Sequence, residues 1–259
     1  MPGYRNWDAW LRKLERDLPV ISHQPIRPSQ STLKADPNRP REVRISLAEY
    51  VERVKGLRLD GWQIDICQRL QDAFINPGKR VAIHAPPQFG KSVIISQAYP
   101  AWVLGNDPVH RFRLATYNIL HSSRFSFVLI QLMKSSEHRL LFPDPEGWIP
   151  QERPRVTEWS TTARIKVNDG QASFAALGLQ SGLVGTGPDS LIIDDPYKSY
   201  EEALSQVIRD KTWRFYDVTA APRLNDRANV FVMFHRYHQD DIAGRALATS
   251  DFDLWRYAA

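Results

Sequence analysis

Two short stretches carry side chains whose types and spacing could do chemistry. Ala85-Pro86-Pro87-Gln88-Phe89-Gly90-Lys91-Ser92 ends an apolar run in a Gly-Lys-Ser turn. Ser190-Leu191-Ile192-Ile193-Asp194-Asp195-Pro196 ends a second apolar run in two adjacent carboxylates. A strand that turns tightly into a helix aims several backbone N–H groups at one point, and the helix N-terminus adds partial positive charge there, so a phosphate can bind. Gly90 lets the backbone come close, Lys91 can reach the outer phosphates, and the Ser92 hydroxyl can ligate Mg²⁺. Pro87, Gln88, Phe89, Gly90, Lys91, Ser92 and Val93 are therefore the candidate contacts to the phosphates of ATP. The strict phosphate-loop pattern has Gly where this chain has Ala85. The same residues would also suit an ordinary strand–turn–helix with a surface lysine.

The second stretch supplies what such a loop lacks. A carboxylate at the tip of a buried strand can help hold Mg²⁺ together with Ser92, the role expected of Asp194. Asp195, one residue further on, can orient an attacking water. A cation, a lysine and a water-orienting carboxylate meet most of the needs of phosphoryl transfer. The plainer alternative is a loop in which Asp194 and Asp195 cap backbone N–H groups before Pro196. Two carboxylates after Leu-Ile-Ile are costly to bury unless paired or solvated.

Elements that could position these groups follow from periodicity. Arg80–Ala85, Phe112–Thr116, Leu191–Ile193 and Val230–Phe234 are short apolar runs of the kind buried on both faces of a parallel sheet. Gln63–Phe74, Lys91–Val103, Ile119–Ser135, Ala203–Tyr216 and Asp241–Ala248 are expected helices. Asn168-Asp169-Gly170, between Arg164–Val167 and Ser173–Leu177, predicts a β-hairpin. Strands alternating with helices predict an α/β fold, here a P-loop NTPase type with a mostly parallel central sheet. Residues 43–259 would form that domain. Before it, Trp7–Leu18 predicts a short amphipathic helix, and Pro25, Pro28, Pro37 and Pro40 mark an extended arm.

Composition adds boundaries. At 259 residues one α/β domain plus a tail fits. Thirty-four Lys and Arg against 29 Asp and Glu give a net charge of +5, which suits a polyanionic partner and equally a merely basic surface. Cys67 is the one cysteine, so no internal disulfide forms, as expected in a reducing cytosol. No apolar stretch reaches the roughly 18 residues of a membrane span. His110, His121 and His138 lack metal-ligand spacing. Arg111, Arg113, Lys134, Arg139, Arg153, Arg155 and Arg164 are candidate contacts to the phosphates of a polyanionic partner and, taken singly, equally solvated surface charges, and Trp148, Trp159 and Trp213 are expected to pack rather than stack on bases.

Pro-Pro-x-x-Gly-Lys-Ser, Leu-Ile-Ile-Asp-Asp-Pro and the stretch Phe234-His235-Arg236-Tyr237-His238-Gln239-Asp240-Asp241-Ile242-Ala243-Gly244-Arg245 together resemble the ATPase domain of tailed-bacteriophage terminase large subunits. The resemblance spans roughly Leu57 to Leu254. It implies an ATP-driven motor that moves double-stranded DNA into a procapsid in the host cytoplasm. Its partners would be a portal protein, a terminase small subunit and copies of itself in a ring, with no membrane. Gln63 falls where the family reads adenine, a task an amide can do, although a solvated residue at a helix start is equally consistent. His235-Arg236 falls in the family's coupling motif, which makes Arg236 a candidate catalytic residue beside Lys91 and Asp195; a structural salt bridge to Asp240 or Asp241 is the alternative. The family usually has Thr where this chain has His235. Relatives often carry an arginine where this chain has Thr186, so an arginine finger would come from elsewhere, with Arg124, Arg209, Arg214, Arg223 and Arg236 as candidates. Gly182, Gly185 and Gly187 suggest a loop that moves with nucleotide state. The family's nuclease domain is expected to be absent from this chain. A helicase-like translocase and a non-catalytic nucleotide-binding scaffold remain as alternatives.

Overall fold

The four runs marked as strands by their apolar character are strands in the computed structural model, and each lies in one sheet. β1 (Arg80–His84), β2 (Phe112–Thr116), β3 (Glu158–Trp159), β4 (Phe174–Gly178), β5 (Ser190–Asp194), β6 (Asn229–Phe234) and β7 (Asp253–Arg256) pair in the order β3-β4-β2-β5-β6-β1-β7. All neighbours are parallel except β3 and β4. The structure describes residues 43–86, 88–143, 154–179 and 187–257, all within one compact unit, Ala35–Ala259. The expected Trp7–Leu18 helix, the proline-rich arm, Pro87, Trp148, Arg153, Gly182, Gly185 and Thr186 lie outside the described residues.

Side-chain alternation along the strands explains why helices cover both faces. On β6, Phe231 and Met233 join one core cluster, while Val230 and Val232 join the other. On β5, Ile192 faces the first cluster and Leu191 and Ile193 the second. The first face is covered by α1 (Leu47–Lys55), α2 (Gly61–Ile75), α3 (Tyr99–Asn106) and α4 (Ile119–Lys134). The short α5 (Ser136–Leu141) follows α4, and α6 (Thr162–Val167) precedes β4. The second face packs under α7 (Tyr200–Leu204), α8 (Gln206–Arg214), the turn that follows it, and α9 (Ile242–Ala248). A strand apolar on both sides is what a sheet covered on both sides requires. Among the described residues no helix is long and apolar enough to cross a membrane.

Two expected helices are not regular. Val93–Ala98 is a wide π turn that runs into α3, and Phe215–Ala220 is another that continues from α8. Tyr99 N–H donates to Ile94 O and Ala221 N–H to Tyr216 O, both one residue wider than an α-turn. Each wide segment leads directly into a proline, Pro100 and Pro222, which has no N–H to continue an α-helical ladder. The expected Ala203–Tyr216 helix is also broken at Ser205, whose extended backbone caps α8.

The hairpin expectation at Asn168-Asp169-Gly170 is wrong. Arg164–Val167 is the end of α6, not a strand, and β4 pairs in parallel with β2. The type I′ hairpin turn that Asn-Gly and Asp-Gly sequences favour needs left-handed backbone at two consecutive positions. Here it occurs at Asn168 (φ 55°), which caps α6, and at Gly170 (φ 71°). Thr161 caps the same helix at its start by accepting from Arg164 N.

Candidate functional site

The loop after β1 and the tip of β5 lie on the same edge of the sheet, with β6 between them. Gln88 (φ 64°) and Gly90 (φ 81°) adopt left-handed backbone, so the chain doubles back before Lys91. Ala85 is buried in the core and is not among the positive-φ residues, so its backbone does not demand glycine. The loop is pinned to α2. Gln63 Nε2 donates to Phe89 O at 3.2 Å, and the Trp62 and Phe89 rings lie 5.7 Å apart. Gln63 Oε1 accepts from Asp60 N at 2.9 Å, capping α2. Its amide thus engages the protein through both ends, beside the loop.

Lys91 is only 5% exposed. Burial pulls its pKa down, while Asp195 and then Asp194 push it back up. Its Nζ stands 2.6 Å from His235 Nε2, at the end of β6. An ammonium only donates, so Nε2 accepts and the imidazole is neutral, with its proton on Nδ1. Burial is the main cause that lowers the His235 pKa, followed by the Lys91 charge. The same Nε2 is 4.0 Å from Asp195 Oδ1.

Asp194 is fully buried. Its Oδ2 accepts from Ser96 Oγ at 2.7 Å, and its Oδ1 has no hydrogen-bond partner. Burial raises its pKa, the charge of Asp195 raises it further, and the hydroxyls of Ser96 and Ser92 act in the opposite sense. A buried carboxylate with an orphaned oxygen, beside a serine hydroxyl, is a donor set that suits a hard cation such as Mg²⁺. Mg²⁺ also keeps water and phosphate oxygens as ligands, so two protein oxygens suffice. Among the described residues no cluster of three or more His, Cys, Asp or Glu could hold a metal by itself.

Asp195 is half-buried and adopts φ 44°, an uncommon backbone for a non-glycine residue. Its carbonyl accepts from Tyr117 N at 3.3 Å, which ties it to the end of β2. Asp195 and His235 share an open pocket with Tyr117, His121, Pro196, Lys198 and Tyr237.

The structure thus brings Gln63, Gln88, Phe89, Gly90, Lys91, Asp194 and Asp195 to one place, with Ser92 and Val93 at the start of the wide turn that follows. Arg236 differs. It is exposed and makes no ion pair with a described residue. Of its suggested partners, Asp240 holds Arg209 and Arg245, while Asp241 caps α9 and feels the Arg236 charge without forming an ion pair with it. Ser96 and the Lys91–His235 bond were not foreseen. Ser96 lies four residues after Ser92, the only hint of it in the sequence.

Several basic candidates for DNA contact are used inside the fold. Arg113 is buried and donates to the carbonyls of Phe112 and Ala172. Arg164 is buried against the carbonyls of Gln171 and Val109 and pairs with Asp169. Arg111 forks onto Asp189. Arg139 and Arg155 are exposed. Trp159 stacks on Phe174 and donates to Ser126, and Trp213 packs on Tyr216. Of the arginine-finger candidates, Arg209 is buried on the carbonyls of Ala203 and Leu204, whereas Arg124 and Arg214 are exposed.

No family model matches this chain, and no curated protein matches it in sequence.

Proposed function

We propose that this chain is a P-loop ATP hydrolase, and that it acts as the ATPase of a terminase large subunit driving double-stranded DNA into a procapsid. The observation that carries the first part is the Asp194 carboxylate. It is fully buried, has one unpartnered oxygen, and is bonded to Ser96 on the segment that begins with Lys91 and Ser92. A fold that tolerates such a charge gains from a ligand that neutralises it.

In this reading the backbone N–H groups around Gly90 and Lys91 hold the phosphates, and Lys91 offsets their charge. Ser92 and Asp194 would hold Mg²⁺, which supplies charge neutralisation at the phosphates when bound. Asp195, which lines the pocket, orients the attacking water and accepts its proton. The strained backbone at Asp195 is of a kind that clusters at active sites.

The motor role rests on the resemblance in the phosphate loop, the paired carboxylates and the stretch from Phe234 to Arg245. The portal protein, the terminase small subunit, a ring of copies and a location at the procapsid in the host cytoplasm belong to the same proposal. DNA would be gripped by its phosphates, weakly and without regard to sequence.

The test is equilibrium binding of Mg-ATP to wild type and Lys91→Ala, followed by hydrolysis with and without duplex DNA at low and high salt. Binding weakened at least ~10-fold by the substitution, with hydrolysis stimulated by DNA only at low salt, is expected. Equal binding by the two folded proteins would remove the phosphate-loop reading. Hydrolysis indifferent to DNA would remove the motor reading alone.

A further inference from the structure

One nitrogen, His235 Nε2, stands 2.6 Å from Lys91 Nζ and 4.0 Å from Asp195 Oδ1. It therefore lies between the residue expected to meet the outer phosphates and the carboxylate expected to orient water. Lys91 is nearly enclosed, and an enclosed ammonium without an acceptor is strongly disfavoured. Before nucleotide arrives, His235 is that acceptor.

We propose that His235 is a positioning residue that holds Lys91 in the nucleotide-free protein and exchanges it for the terminal phosphate of a nucleoside triphosphate. This rests on the phosphate-loop reading above. A phosphate oxygen is a charged acceptor and outcompetes a neutral imidazole for an ammonium. When Lys91 turns to the phosphate, Nε2 is released beside an anion. It then takes a proton from solvent and becomes a donor to the same phosphate. A diphosphate lacks the terminal group to which a protonated His235 would donate, so it draws no proton onto the ring, even where Lys91 reaches its outer phosphate. The pair therefore distinguishes triphosphate from diphosphate through proton uptake.

The surroundings support the exchange. The charged and titratable groups around His235 are Lys91 from the loop after β1, His84 from the end of β1 and Asp195 from the end of β5, with the Tyr237 ring 6.1 Å away on its own strand's extension, and Tyr117, His121, Tyr197 and Lys198 line the same pocket. Lys91 and His84 disfavour an imidazolium there, as burial does, and only Asp195 favours one. Removing Lys91 from the ring and placing an anion beside it reverses that balance.

The experiment is calorimetric titration of the full chain, in Mg²⁺, with the non-hydrolysable triphosphate AMP-PNP and with ADP. It uses wild type, His235→Asn and His235→Ala at pH 6, 7 and 8, in two buffers of different ionisation enthalpy, with folding of each variant checked by circular dichroism. Asparagine keeps an acceptor for Lys91 and a donor for phosphate but cannot titrate. Wild type is expected to take up more protons on binding AMP-PNP than His235→Asn does. Its AMP-PNP affinity should rise more steeply as pH falls, by up to about tenfold per pH unit for one extra proton. ADP should show the same slope in both proteins. His235→Ala should lose preference for AMP-PNP over ADP, and His235→Asn should restore part of it. Tight AMP-PNP binding with equal proton uptake in wild type and His235→Asn overturns the exchange while leaving the phosphate-loop reading standing. A wild type that binds neither nucleotide overturns that reading, and the exchange with it.

Discussion

Ser96 Oγ donates to Asp194 Oδ2 at 2.7 Å, joining the wide turn after Lys91-Ser92 to the tip of β5. Through this bond the two halves of the candidate site are held at a fixed spacing. Ser96→Ala would strip a buried carboxylate of a hydrogen bond, at a cost of about 1–3 kcal/mol. Urea unfolding should show that loss, and Mg-ATP should bind more weakly. Unchanged unfolding would mean that the bond does not support Asp194.

Asp194→Asn should separate stability from activity. The folded-state pKa of Asp194 is raised, chiefly by burial, so the folded protein binds this proton more readily than the unfolded chain does. Its contribution is then most favourable below the ordinary carboxylate pKa and is lost as pH rises through the raised value. The amide carries no charge, so the variant should unfold at a higher temperature than wild type at pH 8. That gain should shrink as the pH is lowered into the acid range. Mg-dependent hydrolysis should disappear at every pH. A variant less stable than wild type at pH 8 would contradict the reading of Asp194 as an uncompensated buried charge.

His138 contributes with the opposite sign. It is buried, pairs with the Tyr50 hydroxyl at 2.8 Å, and burial lowers its pKa to about 3. The unfolded chain takes up this proton near pH 6.5, so the stabilisation is present above that pH and is lost progressively as pH falls toward about 3. Its slope approaches about 1.4 kcal/mol per pH unit. Urea midpoints between pH 7.5 and 4.5 should fall more steeply for wild type than for His138→Phe. Parallel curves would show that His138 is not held neutral.

Arg164 and Arg139 should behave differently despite equal charge. Arg164 reaches the carbonyls of Val109 and Gln171 from a buried position, whereas Arg139 is exposed. Arg164→Ala should lower stability by several kcal/mol, at about 1.5–3 kcal/mol per charged hydrogen bond. Arg139→Ala should stay within about 0.5 kcal/mol of wild type. Denaturant unfolding of both variants measures this directly, and similar losses would show that Arg164 is not the structural clamp described.

Much of the fold could be read from the residues because the central strands are apolar on both faces. Phe112–Thr116 has the predicted limits, and the Leu191–Ile193 and Val230–Phe234 runs each fall inside the observed strand. β7 was missed because its edge position lets Asp253, Leu254 and Arg256 face outward, which dilutes the apolar signal. The hairpin failed because Asn168 and Gly170 carry turn chemistry that a helix end uses equally well. In the candidate site, the residues that meet there, Gln88 to Lys91 with Asp194 and Asp195, were readable from type and spacing. The Lys91–His235 contact was not, because it joins the loop after β1 to the end of β6, 144 residues apart in sequence. The fate of Arg113 and Arg164 was hidden for a related reason: a lone basic residue does not reveal whether carbonyls or solvent surround it.

Steady-state ATP hydrolysis in Mg²⁺ by wild type and Asp195→Asn, with Mg-ATP binding measured in parallel, distinguishes a hydrolytic site from one that only binds. Hydrolysis by wild type, together with an Asp195→Asn protein that binds ATP normally but turns it over at least ~100-fold more slowly, is the predicted result for a water-orienting carboxylate. Equal turnover by the two proteins would contradict the role given to Asp195. ATP bound by neither protein would contradict the site itself.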